Sequence, residues 1–274
     1  MQLTKKEVQD FQKKIFSWYA KNKRDLPWRC DRNPYHILVS EVMLQQTQVS
    51  RVIPKYLAWM EKFPTLESLA TASTRDILFY WSGLGYNRRA LYLQKFAQEV
   101  VQKYSGYIPQ DEKKLLSLPG IGEYTAKALL CFAYNQQIAV VDTNIRKVML
   151  VHFAKYIKNG SPKQEKQLVG QLAQQLLPKN KAYEWNQALM DYASAKLRQE
   201  KISLPKQSRF KDSDRYYRGQ IVKYLLEHPQ DCKKNLFTLF AGELSLARFA
   251  RILTTLEKDK LIVVKKEIVA IAEK

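Results

Sequence analysis

Cysteine, glycine and long apolar runs are all scarce in this sequence, and each shortage excludes a class of protein. The three cysteines, Cys30, Cys131 and Cys232, are too few and too widely separated for a disulfide framework or a metal-binding knuckle. Nine glycines and ten prolines are too few for the many tight turns of a β-sandwich. No apolar run is long enough to span a membrane, and the first residues show no signal-peptide pattern. We therefore expect a reduced, cytoplasmic protein with no metal site.

Acidic residues are also in short supply, with 26 Asp and Glu against 46 Lys and Arg, for a net charge of +20. The basic residues are spread along the chain without a continuous block, which predicts a folded basic face. Such a face attracts polyanions, and nucleic acid is the first partner to expect. The alternative is a basic protein with no specific partner.

Apolar residues recur at three- and four-residue steps through the first 200 residues, as Val8, Phe11, Ile15 and Trp18 do in the first helix, 4–21. We find no strand-like alternation there, and we predict an all-α region of many short helices. The other predicted helices are 35–59 with a break near Gln48, one with Thr65 as its N-cap, 74–81, 87–104, 111–117, 123–134, 141–155, one beginning at Pro162, and 182–198.

The pattern changes after residue 200. Residues 201–213 are polar and basic and contain Pro205, which predicts a linker. The elements predicted after it are helices 216–226 and 244–256 and β-rich runs 261–264 and 268–271. Two short strands after a helix indicate a small α/β winged-helix-like module over residues 214–274. The alternative is a helical hairpin with an apolar tail.

The segment Leu118-Pro119-Gly120-Ile121-Gly122 lies between two predicted helices and carries a turn signal. Proline cannot continue a helix, and we expect Gly120 and Gly122 to allow left-handed torsions and to leave backbone N–H groups bare. These groups precede a helix whose positive dipole end faces outward, so the turn predicts a cradle for one phosphate. The alternative is an ordinary corner between helices.

Two carboxylates have surroundings suited to chemistry. Glu41 lies among apolar residues of a predicted helix, where burial would raise its pKa and make it a proton donor near neutral pH. Asp142 follows the apolar run 138–141 at a helix start, where a fixed carboxylate could stabilise positive charge that develops beside it. The alternatives are a structural salt bridge for Glu41 and an N-cap for Asp142.

These motifs resemble those of a known family. The hairpin is similar to the helix-hairpin-helix of the base-excision DNA glycosylases, the superfamily that includes endonuclease III. Residues 40–47 (Ser-Glu-Val-Met-Leu-Gln-Gln-Thr) are similar to the signature of the MutY-type adenine DNA glycosylases. The further matching segments are 24–29 (Arg-Asp-Leu-Pro-Trp-Arg), 83–86 (Gly-Leu-Gly-Tyr) and 185–191 (Trp-Asn-Gln-Ala-Leu-Met-Asp), so the resemblance covers about residues 10–195.

The resemblance implies a fold of two helical subdomains flanking a cleft. The catalytic region would be residues 1–200, with a six-helix subdomain over about 30–135 and a second subdomain from 1–29 and 136–200. It also implies an enzyme that flips adenine, mispaired with guanine or 8-oxoguanine, out of double-stranded DNA and cleaves its N-glycosidic bond in base excision repair. The expected protein is a monomer associated with the nucleoid.

The resemblance further implies a role for each matching residue. Glu41 would protonate the adenine ring, and Asp142 would stabilise the sugar cation. Tyr124 and Asn144 would hold these carboxylates and the leaving base. The expected adenine pocket comprises Arg24, Leu26, Trp28, Leu44 and Gln187, and the expected DNA-binding residues are Gln46 and Tyr86 as wedges in the base stack, with Leu118, Gly120, Gly122 and Thr125 at the hairpin.

Three features set the sequence apart from relatives. Tyr124 occupies the position where lyase relatives carry a nucleophilic lysine, which predicts a monofunctional glycosylase, and Lys127 should point elsewhere. Residues 191–198 lack the cysteines that hold a [4Fe–4S] cluster in most relatives, so we expect no cofactor and expect the basic segment 196–213 to take over its role. About 60 C-terminal residues replace a Nudix-like domain, which puts strong preference for 8-oxoguanine in doubt.

Two other functions stay open at this point. A mismatch glycosylase that removes thymine from G·T would share the hairpin and Asp142, although the surroundings of Glu41 favour adenine. A non-catalytic DNA-binding relic would have no use for both carboxylates with Tyr124 and Asn144. In the C-terminal module, a contact with phosphate and a solvated face are equally compatible with Arg248, Arg251, Lys265 and Lys266.

Overall fold

The structure, a computed structural model, describes residues 2–157, 161–200 and 209–273. Residues 2–157 form α1 (Lys5–Asn22), a 3-10 turn (Pro27–Arg29), α2 (Pro34–Leu44), α3 (Val49–Lys62), α4 (Leu66–Thr71), α5 (Thr74–Trp81), α6 (Arg88–Tyr104), α7 (Glu112–Leu116), α8 (Glu123–Phe132), α9 (Thr143–His152) and α10 (Ala154–Ile157). Residues 161–200 form α11 (Pro162–Gln175) and α12 (Ala182–Lys196). Residues 209–273 form α13 (Asp214–Glu227), β1 (Gln230–Cys232), α14 (Lys233–Thr238), α15 (Leu246–Lys258), β2 (Ile262–Lys265) and β3 (Ile268–Ile271). Within these described ranges, no helix is long and apolar enough to cross a membrane.

Local capping explains several of the helix starts. Thr4 and Glu7 form a reciprocal capping box at the start of α1, and Ser161 and Gln164 form another at α11. The predicted N-cap Thr65 accepts a hydrogen bond from the backbone of Ser68. Helix starts of this kind depend on residues four apart or closer, which is why the sequence reveals them.

The predicted helix 35–59 is broken where the sequence placed the break. Helix α2 ends at Leu44, and α3 begins at Val49 with Gln48 as its N-cap. Between them Gln46 has a φ of 59°, a left-handed conformation that cannot continue a right-handed helix. The predicted helix 141–155 is likewise divided, into α9 and α10.

The residues divide into two compact units. Unit 1 comprises Met1–Glu41, Pro109–Ser117 and Ile121–Pro205, and unit 2 comprises Val42–Ile108, Leu118–Gly120 and Lys206–Lys274. These bounds differ from the subdomains expected from the sequence, which separated residues 214–274 from all earlier ones. The difference has a physical reason within unit 2, where α13 packs against α5.

The core of unit 1 is formed by α1, α9, α11 and α12. Trp185 of α12 is fully buried and contacts the rings of Phe11 and Phe16 at centroid distances of 6.0 and 5.3 Å. Ile145 and Met149 of α9 are also fully buried in this cluster. The packing fixes the start of α9, where Asp142 lies.

The first part of unit 2 is a group of short helices around buried tryptophans. Trp59 of α3 and Trp81 of α5 pack edge to face, with ring centroids 5.5 Å apart. Gln94 of α6, 4% exposed, donates to the carbonyl oxygen of Ala72 at 2.7 Å, which satisfies a buried polar group between α4 and α5.

The second part of unit 2 has winged-helix topology. Its three antiparallel strands run in the order β1-β3-β2, with Gln230 paired to Ala270 and Ile262 to Ile271. The predicted fold class, helical with a small winged-helix-like module, is confirmed. The sequence missed β1 and α14, since a three-residue polar strand has no apolar alternation and owes its conformation to pairing with β3. Of the predicted linker, residues 201–208 lie outside the described residues, and Ser213 is the N-cap of α13.

Candidate active site

Glu41 lies in the last turn of α2, an apolar helix whose Val39 and Met43 are fully buried. The phenol of Tyr124 donates a hydrogen bond to Oε2 of this side chain at 2.8 Å. Glu41 itself is only 8% exposed. A carboxyl group in such surroundings is stable mainly in its neutral form.

Burial raises the pKa of Glu41 to about 7. The nearby charge of Asp142 raises this pKa further, while the hydrogen bond from Tyr124 and the charge of Arg29 oppose the rise. Because a pKa near the working pH allows a group both to hold and to release a proton, Glu41 is suited to general acid catalysis.

Asp142 is the N-cap of α9, as one of the two interpretations of the sequence expected. Its Oδ1 accepts from the backbone N–H of Ile145 at 2.7 Å, and its Oδ2 accepts from the side-chain amide of Asn144 at 2.8 Å. Burial raises the pKa of Asp142, and these two hydrogen bonds oppose the rise. The N-cap fixes the direction of the carboxylate, so capping and a role in chemistry are compatible.

The phenol of Tyr124 is influenced by the charges of both acids. Burial raises the pKa of its phenol well above the ordinary value, and the charges of Glu41 and Asp142 raise it further. The phenol is therefore neutral and remains a hydrogen-bond donor. Lys127, one turn further along α8, contributes instead to the field around Glu123, whose pKa it helps to lower.

The side chain of Asn186, inside the matching segment 185–191, fixes the residues that lead to Asp142. Its Oδ1 accepts from the N–H of Val140 at 2.9 Å, and its Nδ2 donates to the carbonyls of Ile138 and Ala182 at 3.1 and 2.8 Å. Sequence reasoning gave Asn186 no role. The available signal was the amide pair Asn186-Gln187 in a largely apolar stretch of helix, since a buried amide needs several partners.

A buried ion cluster holds the segment that contains the expected adenine-pocket residues 24–28. The carboxylate of Asp191 in α12 is inaccessible to solvent and accepts from Arg24 Nε at 2.7 Å and from both terminal nitrogens of Arg29 at 2.9 Å. Burial alone would raise the pKa of Asp191, but hydrogen bonds and charge from Arg29, with hydrogen bonds from Arg24, outweigh it and lower the pKa. Arg24 is therefore occupied by Asp191.

Three other expected pocket residues are placed as follows. Leu26 and Trp28 are each 6% exposed, at the N-cap and within the 3-10 turn that Arg29 ends. Gln187 is 6% exposed on α12. These three belong to unit 1, as do Glu41, Tyr124 and Asp142, whereas Leu44, the last residue of α2, is assigned to unit 2.

Within unit 2, Arg89 of α6 joins two loops that sequence reasoning did not connect. Its Nη1 donates to the carbonyls of Val42 and Gln45 at 2.6 and 2.8 Å, and its Nη2 donates to those of Leu84 and Gly85 at 3.1 and 3.0 Å. A cation at these carbonyls satisfies the open C-terminal end of α2. Burial lowers the pKa of Arg89 to about 10.

The two loops held by Arg89 carry the residues predicted to enter the base stack. Gln46 is exposed and has a φ of 59°, while Tyr86 is 39% exposed and has a φ of 49°. Left-handed backbone is costly for residues with a Cβ and persists where the surroundings determine it. Arg89 is one such determinant, and it contacts the loop of each residue through main-chain carbonyls.

The predicted hairpin joins α7 to α8, with Gly122 as the N-cap of α8. Gly120 has a φ of +77°, and an added Cβ there would lie 2.8 Å from the Cβ of Tyr92, so glycine is required twice over. Gly122 corrects the prediction, because its φ is −102°, which any residue adopts. What glycine offers at 122 is open space, since an added Cβ would meet no atom within 4 Å.

Two other hairpin residues expected to bind DNA are buried. Leu118 is 4% exposed and Thr125 is 3% exposed. Any contact that they make with DNA must come from backbone groups, as their side chains anchor the turn and the first part of α8.

The cysteines do not fit the [4Fe–4S] cluster of most relatives. The Cys30 thiol donates to the Pro27 carbonyl, Cys131 accepts from Asn186, and Cys232 caps α14. Burial raises the pKa of Cys131 to about 12, which disfavours the thiolate that a metal requires. In the part of the chain that the structure describes, no three His, Cys, Asp or Glu side chains are grouped to hold a metal ion.

Comparison with known proteins gives consistent results. The HhH-GPD superfamily model, described as base excision DNA repair protein, matches residues 39–179. The adenine DNA glycosylase of Homo sapiens is 43% identical over 194 residues, 68% of this chain and 35% of that protein. The adenine DNA glycosylase of Mycobacterium tuberculosis H37Rv is 46% identical over 136 residues, 49% of this chain and 45% of that protein.

Among solved structures, a thermostable thymine-DNA glycosylase is 30% identical with a TM-score of 0.64, covering 75% of this chain and 91% of the other. The chain spans between about a third and a half of the length of the two curated relatives above. Because the superfamily match includes more than half of the residues, this chain belongs to the HhH-GPD superfamily of base excision DNA repair proteins.

Proposed function

We propose that this protein is a monofunctional DNA glycosylase that excises adenine mispaired with guanine or 8-oxoguanine. The observation that carries the proposal is the buried Glu41, with a pKa of about 7, hydrogen-bonded to Tyr124 and influenced by the charge of Asp142. Similarity to two adenine DNA glycosylases at 43% and 46% identity supports adenine as the base.

In this mechanism Glu41 donates its proton to N7 of the flipped adenine, so that the base leaves neutral. Breaking the N-glycosidic bond leaves positive charge on the sugar, and the carboxylate of Asp142 stabilises it. Hydrogen bonds from Ile145 and Asn144 hold that carboxylate in place before the reaction. Glu41, once ionised, then helps to activate the attacking water.

Binding and base flipping involve the remaining predicted residues. The backbone N–H groups at the start of α8, from its N-cap Gly122 onward, bind one phosphate. Gln46 and Tyr86 enter the stack vacated by the base, which reduces the cost of flipping. In unit 1, Leu26, Trp28 and Gln187 surround the adenine, and for Arg24 and Leu44 contact with the base stays a prediction.

The substrate is tested with duplexes containing A·8-oxoG, A·G and T·G, treated with alkali after reaction to reveal abasic sites. We expect base release from both adenine duplexes and little from T·G. Release from T·G alone would favour a second candidate, a thymine glycosylase. The similarity to a thermostable thymine-DNA glycosylase supports testing this candidate. No release from any duplex, with DNA binding retained, would indicate a non-catalytic DNA-binding protein.

The same reactions test the absence of lyase activity. A phenol cannot form a Schiff base, so borohydride added during the reaction should trap no covalent complex with DNA. A strong adduct that Lys127→Ala abolishes would contradict monofunctional action.

We further propose that the enzyme works without an iron–sulfur cluster. In support, Lys147 of α9 donates to the carbonyl of Leu197 at 2.9 Å, so a lysine closes the C-terminal end of α12 near the position where relatives carry cysteines. We expect purified active protein to contain no iron by elemental analysis and no visible cluster absorbance. Iron in proportion to activity would overturn this.

A further inference from the structure

Tyr86 lies at the end of a turn with an unusual backbone. Gly83, Gly85 and Tyr86 have φ values of +90°, +71° and +49°, and the amide of Arg89 donates to the Tyr86 carbonyl at 2.8 Å. The guanidinium carbon of Arg89 lies 5.6 Å from the centroid of the Tyr86 ring. The main chain of this turn is therefore fixed from within residues 42–108, while the ring is 39% exposed.

A residue of the C-terminal module fixes the ring itself. Arg215, in the first turn of α13, donates from Nη1 to the hydroxyl of Tyr86. Its guanidinium carbon lies 5.3 Å from the centroid of the Tyr86 ring and 5.4 Å from that of Phe210. Arg215 thus lies against two aromatic rings and also contacts the polar end of one of them.

Other contacts hold the module at the same turn. Asp259, at the end of α15, pairs with Arg218 of α13 at 2.5 Å and with Arg88 at 3.4 Å. Arg88 begins α6, two residues after Tyr86. The module therefore contacts this turn at two neighbouring positions, through Arg215 and through Asp259.

A third contact fixes the opposite end of α13. Arg75 of α5 donates to the carbonyl of Leu225 at 3.2 Å and to that of Leu226, both in the last turn of the helix. Since both ends of α13 are held, the backbone of Arg215 is fixed, and its side chain can hold Tyr86 in one position.

We propose that the winged-helix module helps Tyr86 to enter the base stack, and that Arg215 is the residue that positions the Tyr86 ring. This inference rests on the proposed function, in which Tyr86 enters DNA. A ring that is already ordered loses less conformational entropy on insertion, so its contacts with the bases contribute more to the binding free energy. The module thereby acts on base flipping through Tyr86.

The test is a double-mutant cycle with Arg215→Ala, Tyr86→Phe and the combined variant. The readouts are the single-turnover rate of base release from an A·G duplex and the fluorescence of 2-aminopurine placed beside the target adenine. We expect Arg215→Ala to lower the rate about three- to tenfold and Tyr86→Phe to lower it less. The combined variant should have the same rate as Arg215→Ala, since both changes remove the same hydrogen bond between Arg215 and the Tyr86 hydroxyl. Additive effects would overturn the inference.

Two further variants separate positioning from simple charge. Lys223→Ala removes one exposed positive charge from the same helix and should leave rate and fluorescence unchanged. Arg215→Lys keeps the charge but not the planar guanidinium, so it should recover only part of the rate. Full recovery by lysine, or an equal loss in Lys223→Ala, would assign Arg215 to general phosphate attraction.

The order of the Tyr86 ring without DNA distinguishes failure of this inference from failure of the proposed function. In NMR relaxation of protein labelled with 13C on its tyrosine rings, Arg215→Ala should increase the motion of the Tyr86 ring, and Lys223→Ala should not. Unchanged ring motion would overturn the inference even if adenine is released. Increased ring motion in a protein that releases no base would reject the proposed function and leave Arg215 as the anchor of Tyr86.

Discussion

Glu41→Gln is expected to slow adenine release by more than about 10²-fold, the usual contribution of a positioned proton donor. Glutamine has nearly the same volume and keeps an oxygen that can accept from Tyr124, so the fold and the hydrogen bond at 2.8 Å should persist. The measurement is single-turnover release from an A·G duplex at pH 7. Binding of the same duplex serves as the control for folding and recognition.

The pH dependence gives this prediction a second readout. The proton on Glu41 is available below its pKa of about 7 and is lost above it, so the wild-type rate should fall as pH rises through 7. The rate of Glu41→Gln should not show this fall as pH rises through 7. A variant with wild-type rate and pH profile would remove Glu41 from the mechanism.

The same raised pKa has a consequence for stability. The folded state holds the proton more tightly than the unfolded state, whose glutamates titrate near 4.5. The stability associated with this proton is complete at low pH and is lost as pH rises through about 7. Above that pH the ionised carboxylate costs on the order of 3 kcal/mol, so Glu41→Gln should have the higher melting temperature at pH 8.

Asp191→Ala is expected to lower the free energy of unfolding by about 3–5 kcal/mol. The substitution leaves the guanidinium of Arg29, whose side chain is 10% exposed, without its carboxylate, and an unpaired buried charge is costly. Urea unfolding followed by circular dichroism measures the loss. Because the pKa of Asp191 is lowered, its contribution is present above the ordinary aspartate range and is lost as pH falls through that lowered value.

A surface ion pair provides the matched control. Glu99 and Lys103 pair at 2.6 Å on the exposed side of α6, and Glu99→Ala should lower the stability far less than Asp191→Ala does. Equal losses for the two substitutions would show that the cluster around Asp191 contributes no more than a solvated pair does.

The sequence predicted those parts of the molecule that depend on near neighbours. The break before Gln48, the cap at Thr65 and the hairpin all follow from residues a few positions apart. Burial of Glu41 was also predictable, because apolar residues surround it in its own helix. Even so, the torsion of Gly122 was predicted wrongly, since an N-cap needs extended backbone and not a left-handed residue.

The remaining features depend on contacts between distant parts of the chain. Asp191 meets Arg24 and Arg29 across 167 and 162 residues, and no local pattern marks the three as partners. Arg89 binds main-chain carbonyls, which every residue possesses, so its partners leave no sequence signature. The resemblance supplied Tyr124 as a holder of the carboxylates, and it offered nothing for Arg215, which lies beyond the matching residues.

The division of the chain into interleaved units has a consequence for the order of folding during synthesis. Unit 1 needs residues up to about 200, and unit 2 joins residues 42–108 to residues 206–274. Helices α3 to α6 therefore leave the ribosome well before α13, the helix that packs against α5. At about 5–20 residues per second, synthesis from the end of α6 at Tyr104 to the end of α13 at Glu227 takes on the order of 6–25 s, during which the α13-binding face of α5 is exposed to chaperones and to other nascent chains.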